Sequence, residues 1–156
     1  QQRVGRAGET FTMFKLRTMR NNTDQLIEEL REEHELRDPM FKLPNDPRIT
    51  KFGGFLRRWS LDETPQIFNV LVGSMSLVGP RPHPLDDVDR YQAEAFRRLA
   101  LKPGMTGLWQ VEGRSDLTWD QALQLDLHYV EKWSLESDVY ILARTTRAVL
   151  QRSGAA

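Results

Sequence analysis

The sequence contains no cysteine. That excludes a disulfide framework, a thiol nucleophile and a cysteine-type zinc site, and it is compatible with a reducing compartment. Histidine is scarce: His34, His83 and His128 are scattered and no HExxH spacing occurs, which argues against a zinc centre. Neither sign of charge is in excess. The 22 basic and 22 acidic residues balance, so the broad basic patch of a nucleic-acid binder is not expected. Long apolar runs are missing, and none approaches the roughly 20 residues that a membrane-spanning helix needs. No signal-peptide pattern, internal repeat or low-complexity tract is visible. At 156 residues the chain is expected to form one domain, residues 1–156, with a real core. Its first residues read as the middle of a structured element, so an N-terminal part that could include a membrane anchor is expected to precede Gln1.

The pattern that is present reads as mostly helical, with a few short strands. RVGRAGETF places two glycines between short flanks, which predicts a hairpin loop. Alternation over Phe11–Met19 predicts a strand with Phe11, Met13, Lys15, Arg17 and Met19 on one face. Two cations there suit an exposed edge strand. Asp24 is a candidate N-cap for a charged helix, QLIEELREEHEL. In KFGGFLRRW, Phe52, Phe55, Leu56 and Trp59 share one helical face, with Lys51, Arg57 and Arg58 off it. Such a segment either joins the core or rests on an anionic membrane surface; for a globular domain the core is the first expectation. Gly53 and Gly54 weaken the helix.

Further along, IFNVLVG is an apolar helix or strand ended by Gly73, MSLV a short strand, and GPRPHP a stiff loop carrying Arg81. DDVDRYQAEAFRRLAL predicts one amphipathic helix with Val88, Tyr91, Ala95, Phe96 and Leu99 inward. KPGMTGLWQVEGRSD predicts a turn, a strand and a second glycine turn ending at Arg114. Thr118 and Gln121 form a capping box for the next helix, and Ser137 or Asp138 starts the last one, with Gly154 as its stop. Trp109, Trp119 and Trp133 read as core residues.

SLDETPQ sets Asp62 beside Glu63. One reading is capping: Ser60-x-x-Glu63 matches a capping box, though Pro65 would then fall inside the helix. A better fit makes Thr64 the N-cap and Pro65 the first helical residue, since the residue before proline avoids the α region. The acids then lie outside a helix N-terminus and need a cation or phosphate partner. Lys15, Arg57, Arg81 and Arg114 supply such cations from short or rigid segments, and arginine suits bidentate phosphate recognition. An adjacent acid pair with several cations resembles a Mg²⁺-assisted phosphoryl-transfer site.

FTMFKLRTM, DPRITKFGGFLRRWSLDETPQIFNVLVGSMSLVGPRP, KPGMTGLWQVEGRS and LDLHYVEKWSLESDVYIL resemble, in order, the catalytic domain of the bacterial sugar transferases. These are monotopic polyprenyl-phosphate hexose-1-phosphate transferases that begin exopolysaccharide, O-antigen or glycan assembly. The resemblance runs from about Arg3 to Ala155. It implies an α+β domain, mostly helical, with a short β-hairpin and few short strands, preceded by a re-entrant membrane helix that this chain lacks. It implies a bacterial inner-membrane location, on the cytoplasmic face. It also implies a reaction: a UDP-sugar and undecaprenyl phosphate become undecaprenyl-diphospho-sugar and UMP with Mg²⁺, through a phosphosugar carried on the first acid, here Asp62. Glu63 would assist through the metal or by orienting phosphate, and both acids are candidate metal ligands. Lys15 and Arg81 would bind phosphate or stabilise developing charge. Arg57 would support the acid pair, Arg114 would contact nucleotide or phosphate, and Asp126 and Asp138 match acidic positions of the family, with a helix cap as the plain reading of Asp138. PRPHP suggests a hexose donor, glucose or galactose. The family often has Gly-Asp where this chain has Gly73-Ser74. A non-catalytic membrane-surface module and a UDP-sugar hydrolase are the alternatives. A homo-oligomer is compatible with the sequence.

Overall fold

A computed structural model describes residues 1–21, 46–113 and 117–150. Helix predominates, with two small sheets. β1 (Gln2–Val4) pairs antiparallel with β2 (Thr10–Thr12), and the turn between them places Ala7 and Gly8 at positive φ, 55° and 84°. α1 (Lys51–Arg58) follows, then a 3-10 turn (Leu61–Glu63) and α2 (Gln66–Leu71). β3 (Ser76–Val78) pairs in parallel with β4 (Gly104–Thr106). Between those strands run the GPRPHP loop, α3 (Leu85–Val88) and a 3-10 stretch (Ala93–Ala100). α4 (Leu108–Glu112), α5 (Trp119–Glu131) and α6 (Leu135–Leu150) complete the described fold. None of the described helices is long and apolar enough to cross a membrane.

The core has two centres. Val78, Tyr129 and Ile141 pack with Leu101, Leu108, Val111 and Val130, joining β3, α5 and α6. Ala95, Leu123 and Leu127 pack with Tyr91 and Trp119, laying the 3-10 stretch against α5. The Thr118–Gln121 capping box predicted for α5 is formed. Gly104 lets β4 approach the β3 end closely, since a Cβ there would sit 2.1 Å from the Gly79 nitrogen.

α1 forms despite its glycines. Thr50 accepts from the Gly53 amide at 2.9 Å, and Arg57 and Arg58 in the last turn complement the helix dipole. Gly53 lies against the Thr18 backbone, where a Cβ would fall 2.0 Å from the carbonyl oxygen. The aromatic face does not join the core: Phe52 and Phe55 are exposed, and Leu56 alone of the predicted apolar face is buried.

Several expectations are corrected. Of the predicted Phe11–Met19 strand only Phe11 and Thr12 are paired in a sheet, as part of β2. Beyond it, backbone groups bond to side chains and to the acid turn, so alternation lapses: Met13 and Thr18 are buried and Arg17 is exposed. Neither capping reading of SLDETPQ holds. Ser60 makes no cap bond and adopts φ 55°, while Thr64 is α-helical (φ −57°, ψ −33°) and its hydroxyl donates to the Leu61 carbonyl at 2.8 Å. The single helix predicted over Asp86–Leu101 is broken after Val88 and resumes as 3-10. With three residues per turn, positions three apart eclipse. Ala95 turns inward as expected, but Arg98 joins it and Phe96 turns outward, where the 3.6-residue pattern had Phe96 inward. The LWQVE stretch forms α4, which was not anticipated. α6 starts at Leu135, where Ser134 and Ser137 bond reciprocally, so Asp138 lies inside the first turn. Trp109 is buried, but Trp133 is exposed rather than core. The Asp24 helix and the Gly154 stop fall outside the described residues.

Candidate active site

The acid pair sits in the 3-10 turn between α1 and α2. Ser60, just before it, takes a left-handed conformation that most residues avoid, and this ends α1 through Ser60 N donating to the Arg57 carbonyl at 3.0 Å. The reversal sends Leu61 outward and Asp62 inward; Asp62 is 3% exposed.

Lys15 is brought to this turn by clamps on either side. Asn69 of α2 accepts from the Phe14 amide at 2.9 Å and donates to the Thr12 carbonyl at 2.8 Å. The Leu16 amide donates to the Asp62 carbonyl at 2.9 Å. Ser74 steadies Asn69 through two hydrogen bonds. So held, the Lys15 ammonium lies 3.0 Å from Asp62 Oδ2 and 3.2 Å from Glu63 Oε1. A cation between two adjacent carboxylates offsets both their repulsion and the cost of burying Asp62.

Arg81 reaches the turn from the GPRPHP loop, its Nη2 donating to Glu63 Oε1 at 2.6 Å. Burial by itself pushes the Glu63 carboxyl up, but Arg81 and Lys15 outweigh it and hold Glu63 at about 2. Arg3 of β1 adds to the positive field. It was not singled out in the sequence, where nothing distinguishes it from the neighbouring Arg6. Its position follows from the Val4 amide donating to the His83 carbonyl at 3.1 Å, which sets β1 beside the loop. Burial first, then the nearby Arg81 charge, lowers its pKa.

The structure thus gathers Asp62, Glu63, Lys15 and Arg81, from three separate stretches of chain. The other candidates lie elsewhere. Arg57 donates to Thr18 Oγ1 at 2.9 Å and makes no ion pair with either acid. Asp126 is buried in α5 and paired to Arg98. Asp138 accepts from the Tyr129 hydroxyl at 2.7 Å and from Trp133 Nε1 at 3.2 Å, tying α6 to the end of α5. Arg114 falls outside the described residues. Among the described residues no cluster of three or more metal-ligating side chains occurs. Two adjacent carboxylates nevertheless fit Mg²⁺, a hard cation that is commonly bound through one or two carboxylates plus substrate phosphates and water.

The family model described as bacterial sugar transferase matches residues 1–152, and the chain belongs to that family. The galactosyl transferase CpsE of Streptococcus agalactiae is 46% identical over 156 residues, covering 99% of this chain and 35% of that protein. The undecaprenyl-phosphate galactose phosphotransferase of Salmonella typhimurium is 48% identical over 162 residues, 99% of this chain and 33% of its own length. The UDP-glucose:undecaprenyl-phosphate glucose-1-phosphate transferase of Xanthomonas campestris is 43% identical over 160 residues, 96% of this chain and 31% of its own. The chain spans about a third of the length of these relatives.

Proposed function

We propose that this chain is the catalytic part of a phosphoglycosyl transferase that moves a hexose 1-phosphate, of glucose or galactose, from a UDP-sugar to undecaprenyl phosphate. The observation that carries the reading is the Lys15 ammonium bridging buried Asp62 and its neighbour Glu63, with Arg81 on Glu63. A carboxylate oxygen of Asp62 attacks the β-phosphorus of the donor. A β-phosphorus–oxygen bond forms to Asp62 as the bond to the bridging oxygen breaks, and UMP departs with that electron pair. UMP is a good leaving group and needs no strong general acid. The acyl phosphate left on Asp62 is reactive. An oxygen of the lipid phosphate then attacks the same phosphorus and releases the carboxylate. Lys15 and Arg81 offset the charge that builds on the phosphoryl oxygens. Asp62 and Glu63 would hold Mg²⁺, which when bound neutralises diphosphate charge.

The surroundings of the acid turn support a membrane setting. Phe52 and Phe55 of α1, Ile67, Phe68 and Leu71 of α2, and Val72 just after it are exposed, Leu71 and Val72 each at 74%. Lys51 and Arg58 are exposed on the same α1. An apolar surface edged by cations suits an anionic headgroup layer, where the phosphate of a polyprenyl carrier resides.

The test is UMP release by the full-length protein in detergent with Mg²⁺, from UDP-glucose, UDP-galactose and UDP-N-acetylhexosamines, with and without undecaprenyl phosphate. Lipid-dependent UMP from a UDP-hexose is expected. Asp62→Asn should abolish release, and the phosphosugar adduct seen by intact mass, while leaving the protein folded. Near wild-type turnover in that variant would refute the nucleophile. UMP released equally without lipid would identify a hydrolase, and no UMP from any donor would favour a non-catalytic surface module.

A further inference from the structure

Behind Arg81 lies a second arginine that the transferase reading does not use. The Arg98 guanidinium is 2% exposed. Its Nη1 donates to the Tyr91 hydroxyl at 2.7 Å and faces His83 Nε2 at 3.1 Å. Its Nη2 donates to Asp126 Oδ2 and, at 3.0 Å, to the main-chain carbonyl of Arg81. The Tyr91 and Trp119 rings lie 5.8 and 5.7 Å from its central carbon. An arginine always donates, so His83 Nε2 must accept and the imidazole is neutral. Burial, then the Arg98 charge, lowers the His83 pKa in the same sense.

The carbonyl matters because of where Arg81 stands. Pro80 and Pro82 flank it, and the following proline confines Arg81 to extended backbone. The loop is pinned at successive points: the Gly104 amide donates to the Pro80 carbonyl at 3.0 Å, Arg98 to that of Arg81, and the Val4 amide to that of His83 at 3.1 Å. In so stiff a segment, the direction of the Arg81 carbonyl also sets the direction in which its side chain leaves. The outer two pins are main-chain bonds. The middle one is a side chain, and Asp126 holds it in place.

We infer that Arg98, held by Asp126, is a positioning residue for phosphoryl transfer: it fixes the Arg81 carbonyl and so keeps the Arg81 guanidinium on Glu63. The inference rests on the transferase reading. It also gives Asp126 a role at one remove from substrate. Burial pushes the Asp126 carboxyl up to about 6, with the Arg98 charge and hydrogen bond drawing it back down.

The test uses the full-length protein and two variants. Replacing a buried ion pair by apolar side chains of similar volume is often neutral for stability, so the double variant Arg98→Met, Asp126→Leu should keep its thermal midpoint while losing the bond to the Arg81 carbonyl. Its kcat for UMP release should fall roughly 10- to 100-fold, the scale of a small misplacement of a catalytic group, with the donor KM changed less than about threefold, since Arg81 acts on charge that develops in the transition state. Arg98→Lys keeps the charge and the pairing with Asp126 but lacks the planar fork that reaches several partners. It should fold and lose at least about tenfold in kcat, which keeps the test decisive if the double variant does not fold. A folded variant of either kind with kcat within twofold of wild type overturns the inference alone. A wild type that releases no UMP from any donor overturns the transferase reading, and this inference with it.

Discussion

Removing the Lys15 ammonium should destabilise the protein in a way that depends on pH with a known sign. Lys15→Met keeps the stem's length and apolar contacts but deletes the charge 3.0 Å from Asp62 and 3.2 Å from Glu63. Glu63 retains Arg81; Asp62 has no other ion-pair partner among the described residues. Stripping one partner from a buried pair typically costs about 3–5 kcal/mol, because the other charge is left in a poor solvent. For a chain of this size that lowers the thermal midpoint by roughly 10 °C. Glu63 sets the pH dependence. Its folded-state pKa is about 2 against an ordinary 4.5, so its contribution is fully present above the ordinary value and is lost as pH falls toward the lower one. The whole contribution is on the order of 3 kcal/mol, shared between Arg81 and Lys15. The gap between variant and wild type should therefore be widest above about pH 5 and close as pH falls toward 2. Thermal unfolding in detergent at pH 7.5 and pH 3 reads it directly. A midpoint loss under about 2 °C at pH 7.5, or a gap that widens on acidification, would refute the account of Lys15 as counter-charge to the acid pair.

The other predictions separate packing from chemistry. Gly53→Ala should cost about 2–4 kcal/mol and reduce UMP release, because its Cβ would fall 2.0 Å from the Thr18 carbonyl and push α1 off the segment that carries Lys15. Gly54→Ala, whose added Cβ would meet only the Ile49 side chain, at 3.9 Å, should stabilise by about 0.5–1 kcal/mol instead, and denaturant unfolding of the two variants checks the contrast. Asp138→Asn weakens the tie to Tyr129 and Trp133; stability should fall by about 1 kcal/mol with kcat for UMP release unchanged, and a large kcat loss without destabilisation would instead place Asp138 at the substrate.

What could be read in advance was local, and what could not was set by distant partners. The Thr118–Gln121 cap, the hairpin over Gln2–Thr12 and the helix over Lys51–Arg58 depend on residues a few positions apart, and all three are formed. The aromatic face of α1 was legible as a face, but whether it meets core or solvent depends on elements that the 51–58 pattern does not mention. The helix predicted after Pro84 failed for a different reason. Its apolar spacing allows either 3.6 or 3.0 residues per turn, and the tighter winding won, which turned a charged side chain inward at Arg98. A buried arginine is costly unless it is paired, and its carboxylate lies 28 residues away at Asp126. The same holds for the acid pair. Adjacent acids before a proline read either as a capping box or as acids left outside a helix and in need of cations; the chain pairs them with Lys15, 48 residues distant from Glu63, and with Arg81, 18 residues distant, a choice among candidate cations that spacing alone does not make. Each failure of local reasoning around SLDETPQ has the same cause: the acids' partners come from other segments, and the left-handed turn at Ser60 aims Asp62 at them rather than at the helix that follows.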